Sequence, residues 1–505
     1  MKSKVSAFLG ETIDPRLQEH LFAPQIEREL EIGFPSLNDV NKAHVLMLFH
    51  RGILAKPAAR ALARAILTLE KQGAEGVPRD AAREDSYFNY EARIIEIAGP
   101  DAGGRMHIGR SRNDLKATQE RLRARVMALD ILEALAGLRA TMLGRARKFA
   151  GTVMPGYTHL QPAQPVTFGW YLLGILHALE RDHRRIAECY ARINLNPLGA
   201  GALAGTSFPI DRDETRRLLG FDGLVPHALD AIASRDYLLE LLGDCTSLAT
   251  TWGRLAQDFF VMTSYEFATL ELPDSVAGTS SMMPQKKNMV VLEDLKGSAA
   301  QLLGAYATAV AGVKGTNFTN TVDGNREAFR WCQDALAETV SGLRVLDVVV
   351  AEARPRPGRM RELVEANFST ATDLADALVQ EAGLSFREAH HVVGGVVRAA
   401  IERGLKSSAI DIELVRAVAR KIMGRPLDLS AKSLKAAMDP TLAAERRRGT
   451  GGPARADIQA MAQALGANLA RDRRELKLRR SKLVAAKRAL DRAFAALATG
   501  RGRQR

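Results

Sequence analysis

An all-α fold is what this sequence predicts, and three observations carry the prediction. Leu238, Leu241, Cys245, Leu248, Trp252, Leu255, Phe259 and Met262 recur at alternating spacings of three and four. That places them on one stripe of a helix on the order of 40 Å long. Phe168, Leu172, Ile175, Leu179, Ile186, Tyr190 and Ile193 repeat the pattern, and neither stretch alternates as a strand would. Near the C-terminus Leu469, Leu476, Leu483, Leu490 and Leu497 stand seven apart among many Ala and Arg, which predicts one long amphipathic helix.

Helices of this length need partners. A third is expected after Val290, and the Gly- and Pro-rich segment 196–205 separates the first two, so an antiparallel bundle follows. About seven turns of apolar stripe on several helices exceed what one slender bundle covers, and association of subunits is the expected remedy. A chain of 505 residues with 46% apolar and 6% aromatic content buries several cores. Three divisions are expected: an N-terminal helical domain over 1–115, a central long-helix bundle over 116–365, and a C-terminal helical domain over 366–505. The basic amphipathic extension begins at about 455.

Composition narrows the setting. No charged N-terminus leads into an apolar signal core and no apolar run reaches the roughly 18 residues of a membrane span, which predicts a soluble, cytoplasmic protein. Cys189, Cys245 and Cys332 are far apart and outside any CxxC spacing, so they read as core thiols in a reducing compartment. Without a metal-ligand cluster in the sequence, no cofactor and no metal are expected. The net charge of +13 sits in the tail: from Thr441 onward there are 17 Lys and Arg against 5 Asp and Glu. A helix packed on the body or on a neighbouring subunit is the first reading of that tail, and an arm for nucleic acid or another polyanion is the second.

Three polar clusters interrupt the helical background. The first, His107-Ile108-Gly109-Arg110-Ser111-Arg112-Asn113-Asp114, offers guanidinium, hydroxyl and amide donors suited to carboxylates, although an Arg-rich turn is also an ordinary helix cap. The second, 156–165, contains Tyr157, Thr158, His159, Gln161 and Gln164. It precedes the stripe at Phe168, which puts its side chains near a helix start where backbone N–H groups favour anions. The third, 278–288, joins a Gly-Thr-Ser-Ser loop to Lys286, Lys287 and Asn288. Together they predict a pocket for a small polyanionic substrate.

In order and separation these segments resemble the three signature regions of the fumarase/aspartase superfamily. The strings Gly109-Arg110-Ser111-Arg112-Asn113-Asp114 and Met283-Pro284-Gln285-Lys286-Lys287-Asn288 resemble the argininosuccinate lyase family specifically. The likeness runs from about Asp14 to Gly451-Gly452-Pro453. It implies three mostly helical domains, a homotetramer around a central bundle, and active sites that each draw on three subunits. The implied reaction is elimination of an amine from an N-substituted aspartate to give fumarate. By resemblance Ser280 is the general base, and Lys286 and Asn288 hold the carboxylate whose charge grows, assisted by backbone donors around Ser281 and Met283. Ser111, Arg112, Asn113 and Thr158 match carboxylate-binding positions, His159 matches a charge-relay histidine, and Glu293 matches its carboxylate partner. No general acid is assigned.

Departures from the family concern the leaving amine. Leu21, Phe22, Ala23 and Pro24 replace an Asn-Ala-Ser-Ile stretch and Glu27 stands at an Asp position. Asn320 replaces a Tyr, Asn325 a Gln, Ala328 a Lys, and Met289 a Pro. A site stripped of these groups would leave a guanidinium-bearing amino acid unpaired, so a non-arginine amine is expected. Within the family the resemblance is closest to members that split ethylenediamine-N,N′-disuccinate into fumarate and N-(2-aminoethyl)aspartate, although no residue by itself names ethylenediamine. Cleavage of argininosuccinate is the alternative. A catalytically silent, crystallin-like structural protein is an alternative of another class, opposed by the joint presence of Ser280, Thr158, His159, Lys286 and Asn288.

Overall fold

Where the sequence carries its apolar stripes, the chain forms long helices. The computed structural model describes residue 8 and residues 11–501. An N-terminal group contains α1 (Ala23–His50), α2 (Lys56–Gln72) and α3 (Ser86–Ala98). The long helices follow: α4 (Arg112–Lys148), α5 (Phe168–Ile193), α6 (Asp236–Met262), α7 (Val290–Lys314) and α8 (Cys332–Glu352). Shorter helices fill 357–446, and α9 (Arg455–Ala498) closes the described chain.

Every residue of the predicted stripe on α6 is buried, and of the stripe on α5 only Ile175 is partly exposed. They meet α4, α7 and α8 in one apolar cluster, where each fully buried Leu or Phe contributes about 1.5–3 kcal/mol. Trp252 lies at its centre with no exposed surface, and its indole N–H donates to the Leu295 carbonyl at 3.0 Å. Gly342 lets α8 close on that ring, since a Cβ there would already touch it at 3.4 Å.

A second cluster joins α1–α3 to Leu115 and Leu122 at the start of α4, and a third lies wholly within residues 374–438. Helix α9 belongs to the first two. Ile458, Ala462 and Leu465 pack in the central cluster, while Leu490, Phe494 and Leu497 pack in the N-terminal one. Ion pairs that range from buried to exposed fasten it between: Asp472 to Arg139 at 2.8 Å, Arg480 to Glu133 at 2.8 Å, Asp491 to Lys42 at 2.9 Å and Lys487 to Asp39 at 2.8 Å. Two of these pairs set cations of the helix, Arg480 and Lys487, against acids of the body, and two set its acids, Asp472 and Asp491, against cations of the body.

One expectation needs correcting. Residues 156–165 do not lie at a helix start. They belong to an antiparallel hairpin, β1 (Val153–Thr158) and β2 (Gln161–Thr167), and the side chain at the N-cap of α5 is Thr167, which accepts from Trp170 N–H at 3.1 Å. A second, smaller hairpin pairs β3 (Gly278–Thr279) with β4 (Lys287–Asn288).

Candidate active site

The first polar cluster is both a helix cap and a donor array. Ser111 caps α4 by accepting the Asn113 N–H at 3.3 Å, and its own N–H donates to Asp114 at 2.9 Å, which closes a capping box. The other Asp114 oxygen accepts from the N–H groups of Gly199 at 2.8 Å and Gly201 at 3.0 Å. Burial pushes the Asp114 carboxyl up to about 6, against the pull of those three N–H donors. Gly201 has φ +64°, and a Cβ there would sit 2.4 Å from the Gly205 carbonyl, so only glycine fits this turn.

Arg112 is engaged by the N-terminal helices. Its guanidinium donates to Asp85 at 2.9 Å and lies 4.0 Å from the Phe88 ring centroid. Lys116 joins Asp85 and Glu29 to the same network at 3.2 and 3.1 Å. The Glu29 carboxyl is held down to about 2 despite its burial, because Lys116, Ser86 and Gln25 all favour its charged form. Arg110 is buried and bonds to Asn41 and Tyr87, while His107 accepts from or donates to the Tyr87 hydroxyl at 2.7 Å and is pushed down to about 4 by burial and the two arginines.

The second cluster is displayed at a hairpin tip. Thr158 and Gln161 pair across a two-residue turn formed by His159 and Leu160, both with φ +55°. Such a turn normally takes Asn and Gly, and each left-handed non-glycine residue costs about 1–2 kcal/mol. Thr158, His159 and Leu160 are all exposed, Leu160 by 67%. Strain and exposure together fit a turn shaped for presentation of its side chains.

The third cluster lies between β3 and β4. Ser280 is half-buried, and its Oγ accepts the N–H of Met283 at 3.0 Å and of Met282 at 3.3 Å. Lys287 is tied to Asp274 at 2.8 Å. Lys286, by contrast, is exposed and has no ion-pair partner among the described residues. Asn288 spans the base of the loop, donating to the Thr279 carbonyl at 3.4 Å. Ser281 and Met283 are exposed on the loop, and Glu293 is exposed in the first turn of α7. Among the described residues no hydrogen bond or ion pair joins His159 to Glu293.

Helix length keeps the clusters apart. Ser111 begins α4 and the β1–β2 hairpin follows its end, 37 residues or about 55 Å away. The β3–β4 loop begins α7 at the far end too, since the tilted rings of Tyr157 and Phe267 lie 6.2 Å apart between centroids and Asp274, a few residues further along the chain, holds Lys287 at 2.8 Å. Within one chain, then, Thr158, His159, Ser280, Lys286 and Asn288 sit at one end of the bundle. Ser111, Arg112 and Asn113 sit at the other.

Of the departures named above, all but Met289, which precedes α7 at the first end, lie in segments at that second end. Residues Gln18–Phe22 and Asp323–Glu327 both wind as π-helical turns, a form found mostly at functional places. Arg28, one turn into α1, donates to Asp334 at 2.6 Å and lies 5.4 Å from the Trp331 ring. Asn320 donates to Asn113 at 2.9 Å and accepts from Asn325 at 2.7 Å. Sequence reasoning named Asn320 and Asn325 only as replacements; the contact of Asn320 with Asn113, across 207 residues, carries no local signal.

Among the described residues two groups of side chains could crowd a metal ion: Cys189 with Glu240 and Asp244, and Asp39 with Glu70 and Asp491. Neither includes a residue of the three polar clusters. Glu240 is already paired with Arg192, and Lys42 and Lys487 neutralise the second group.

Comparison with known proteins places the chain in a family. Residues 43–304 match the lyase family and residues 368–443 match the argininosuccinate lyase C-terminal family. The chain is 38% identical over 468 residues to argininosuccinate lyase 1 of Shouchella clausii, covering 93% of this chain and 94% of that one. It is 37% identical over 417 residues to argininosuccinate lyase of Methanocaldococcus jannaschii, covering 83% and 84%. A solved structure of EDDS lyase in complex with formate superposes with a TM-score of 0.87 at 32% identity, covering 97% of both chains. Class II fumarase from Schistosoma mansoni shares the fold, with a TM-score of 0.68 at 18% identity over 82% of this chain and 90% of that one. With kinship across nearly its whole length, the chain belongs to the argininosuccinate lyase family of the fumarase/aspartase superfamily and is a fumarate-releasing carbon–nitrogen lyase.

Proposed function

We propose that this lyase cleaves ethylenediamine-N,N′-disuccinate to fumarate and N-(2-aminoethyl)aspartate, and runs in reverse as the addition of amines to fumarate. The observation that carries the chemistry is the Ser280 hydroxyl. Two backbone N–H groups point at its oxygen and an unpaired Lys286 shares its loop. Both stabilise a serine oxygen that bears negative charge, which is the state a serine base requires. Ser280 removes the proton from the carbon beside a carboxylate. Lys286, Asn288 and the loop N–H groups, with Ser281 and Met283 lining it, then hold the dianionic aci-carboxylate until the amine leaves. Thr158, Ser111, Arg112 and Asn113 bind the carboxylates in the ground state. His159 is oriented by Glu293 of a neighbouring copy, since within one chain the two are not bonded, and that pairing fixes its tautomer.

Because these residues lie at opposite ends of the long helices, the reading requires copies of the chain packed so that one end meets another. A cytoplasmic homotetramer with sites shared among three subunits fits this need, and among the described residues no helix is long and apolar enough to cross a membrane. The leaving amine is inferred from the rebuilt end. Asn320, Asn325 and Ala328 stand where a Tyr, a Gln and a Lys would meet arginine, and EDDS lyase is a structural neighbour at a TM-score of 0.87. Argininosuccinate cleavage is the second reading, favoured by the 38% identity to an enzyme of that name.

Fumarate absorbance decides between them. Ethylenediamine-N,N′-disuccinate, argininosuccinate and other N-substituted aspartates are compared in the forward direction, and ethylenediamine and arginine as amines added to fumarate in reverse. Three lost hydrogen bonds of roughly 1.5–3 kcal/mol each set a preference against arginine on the order of a thousandfold or more. A clear preference for arginine overturns the substrate assignment.

A further inference from the structure

Asn113, Asn320 and Asn325 form a row of side-chain amides with a single direction. Asn325 Nδ2 donates to the Ile232 carbonyl at 3.2 Å and to Asn320 Oδ1 at 2.7 Å. Asn320 Nδ2 donates to Asn113 Oδ1 at 2.9 Å, and Asn113 Nδ2 donates to the Ala202 carbonyl at 3.0 Å. A backbone carbonyl anchors each end. Turning any one amide over would set oxygen against oxygen: Asn325 against Ile232, Asn320 against Asn113, Asn113 against Ala202. Asn325 is buried and holds the far end in place. Each amide nitrogen carries two hydrogens, so Asn113 and Asn320 both keep a second N–H that none of these bonds uses.

We propose that Asn320 is a positioning residue: by occupying Asn113 Oδ1 it locks the Asn113 amide with its spare N–H free to meet a substrate carboxylate. This rests on the lyase reading above and sharpens it. The rebuilt end then offers N–H donors and no amide acceptor from Asn113, so it selects carboxylate oxygens. The two replacements at 320 and 325 act as one device.

Fumarate affinity, measured by titration calorimetry on the assembled protein, tests the lock without turnover. In Asn320→Asp the new carboxylate can accept but not donate. Asn113 turns its N–H groups toward it, and a negative charge joins the site. In Asn320→Leu the lock is lost without added charge. Expected is a fumarate Kd raised on the order of ten- to a hundredfold in Asn320→Asp and several-fold in Asn320→Leu. KM shifts in parallel, kcat at saturation stays within a few-fold, and the melting temperature of Asn320→Leu is unchanged. A wild-type Kd in both variants, or equal losses in both, overturns the proposal; should the aspartate variant prove unstable, an unchanged Kd in Asn320→Leu overturns it alone. Fumarate binding to the wild type without cleavage of any N-substituted aspartate sinks the lyase substrate reading and leaves the order of Kd values to judge the lock. Wild type that fails to bind fumarate sinks both.

Discussion

Ser280 occupies a loop in which almost every nearby polar group favours negative charge on its oxygen. Replacing it with alanine removes the base and no packing group, so Ser280→Ala should lower turnover about 10²- to 10⁴-fold while the melting temperature holds. Turnover within a few-fold of wild type would require another base. His183 offers a different readout. Burial and Arg139 push its imidazole down to about 4 in the folded chain, against about 6.5 unfolded. Between those values the unfolded state binds a proton that the folded state refuses, so His183 subtracts stability as pH falls from about 6.5 to about 4. Asp114 has the opposite sign, its raised carboxyl losing stability as pH rises from 3.8 through about 6. The measurement is therefore a comparison of urea melts of wild type and His183→Gln, with the variant gaining relative to wild type toward pH 4. A constant difference across that range refutes the assignment. At this scale the sequence exposed the three polar clusters through their composition, but not their partners. That Arg112 holds Asp85, or that Asn113 meets Asn320, depends on contacts 27 and 207 residues apart.

Secondary structure was most legible where side chains repeat. The stripes on α5 and α6 and the helix after Val290 all follow from the period of apolar residues, because burial enforces that period. The β1–β2 hairpin escaped notice for a physical reason. Pro155, Pro162 and Pro165 interrupt its alternation, and its tip places His159 and Leu160 at φ +55° where glycine or asparagine would have marked a turn. Leu160→Gly relieves one left-handed residue at the loss of an exposed side chain, and should stabilise the protein by about 1 kcal/mol or less against urea. If instead the variant is less stable, Leu160 is packed against another chain in solution, and its exposure within one chain misstates its surroundings.

At the scale of the whole molecule, the long helices that make the bundle also separate its chemistry by about 55 Å. Complementation checks the shared site. Ser280→Ala and Arg112→Ala proteins, each inactive alone, should regain a fraction of wild-type turnover after mild dissociation and mixing. No recovery with proven subunit exchange would count against sites shared between chains. The expectation of association rests on stripe length, whereas the path of the C-terminal helix was not legible, because a heptad of leucines states that a helix has a partner without saying which.

That path has a mechanical consequence. Helix α9 grips the central bundle with Ile458 and Leu465 and the N-terminal helices with Phe494 and Leu497, and ion pairs pin it in between. It works as a splint across a joint: bending or melting either region must first tear a rigid rod from the other. The two regions should therefore unfold together in a single calorimetric transition. Removing residues from 487 onward, which keeps the grip on the bundle and frees the joint, should split that transition in two, with the N-terminal helices melting first.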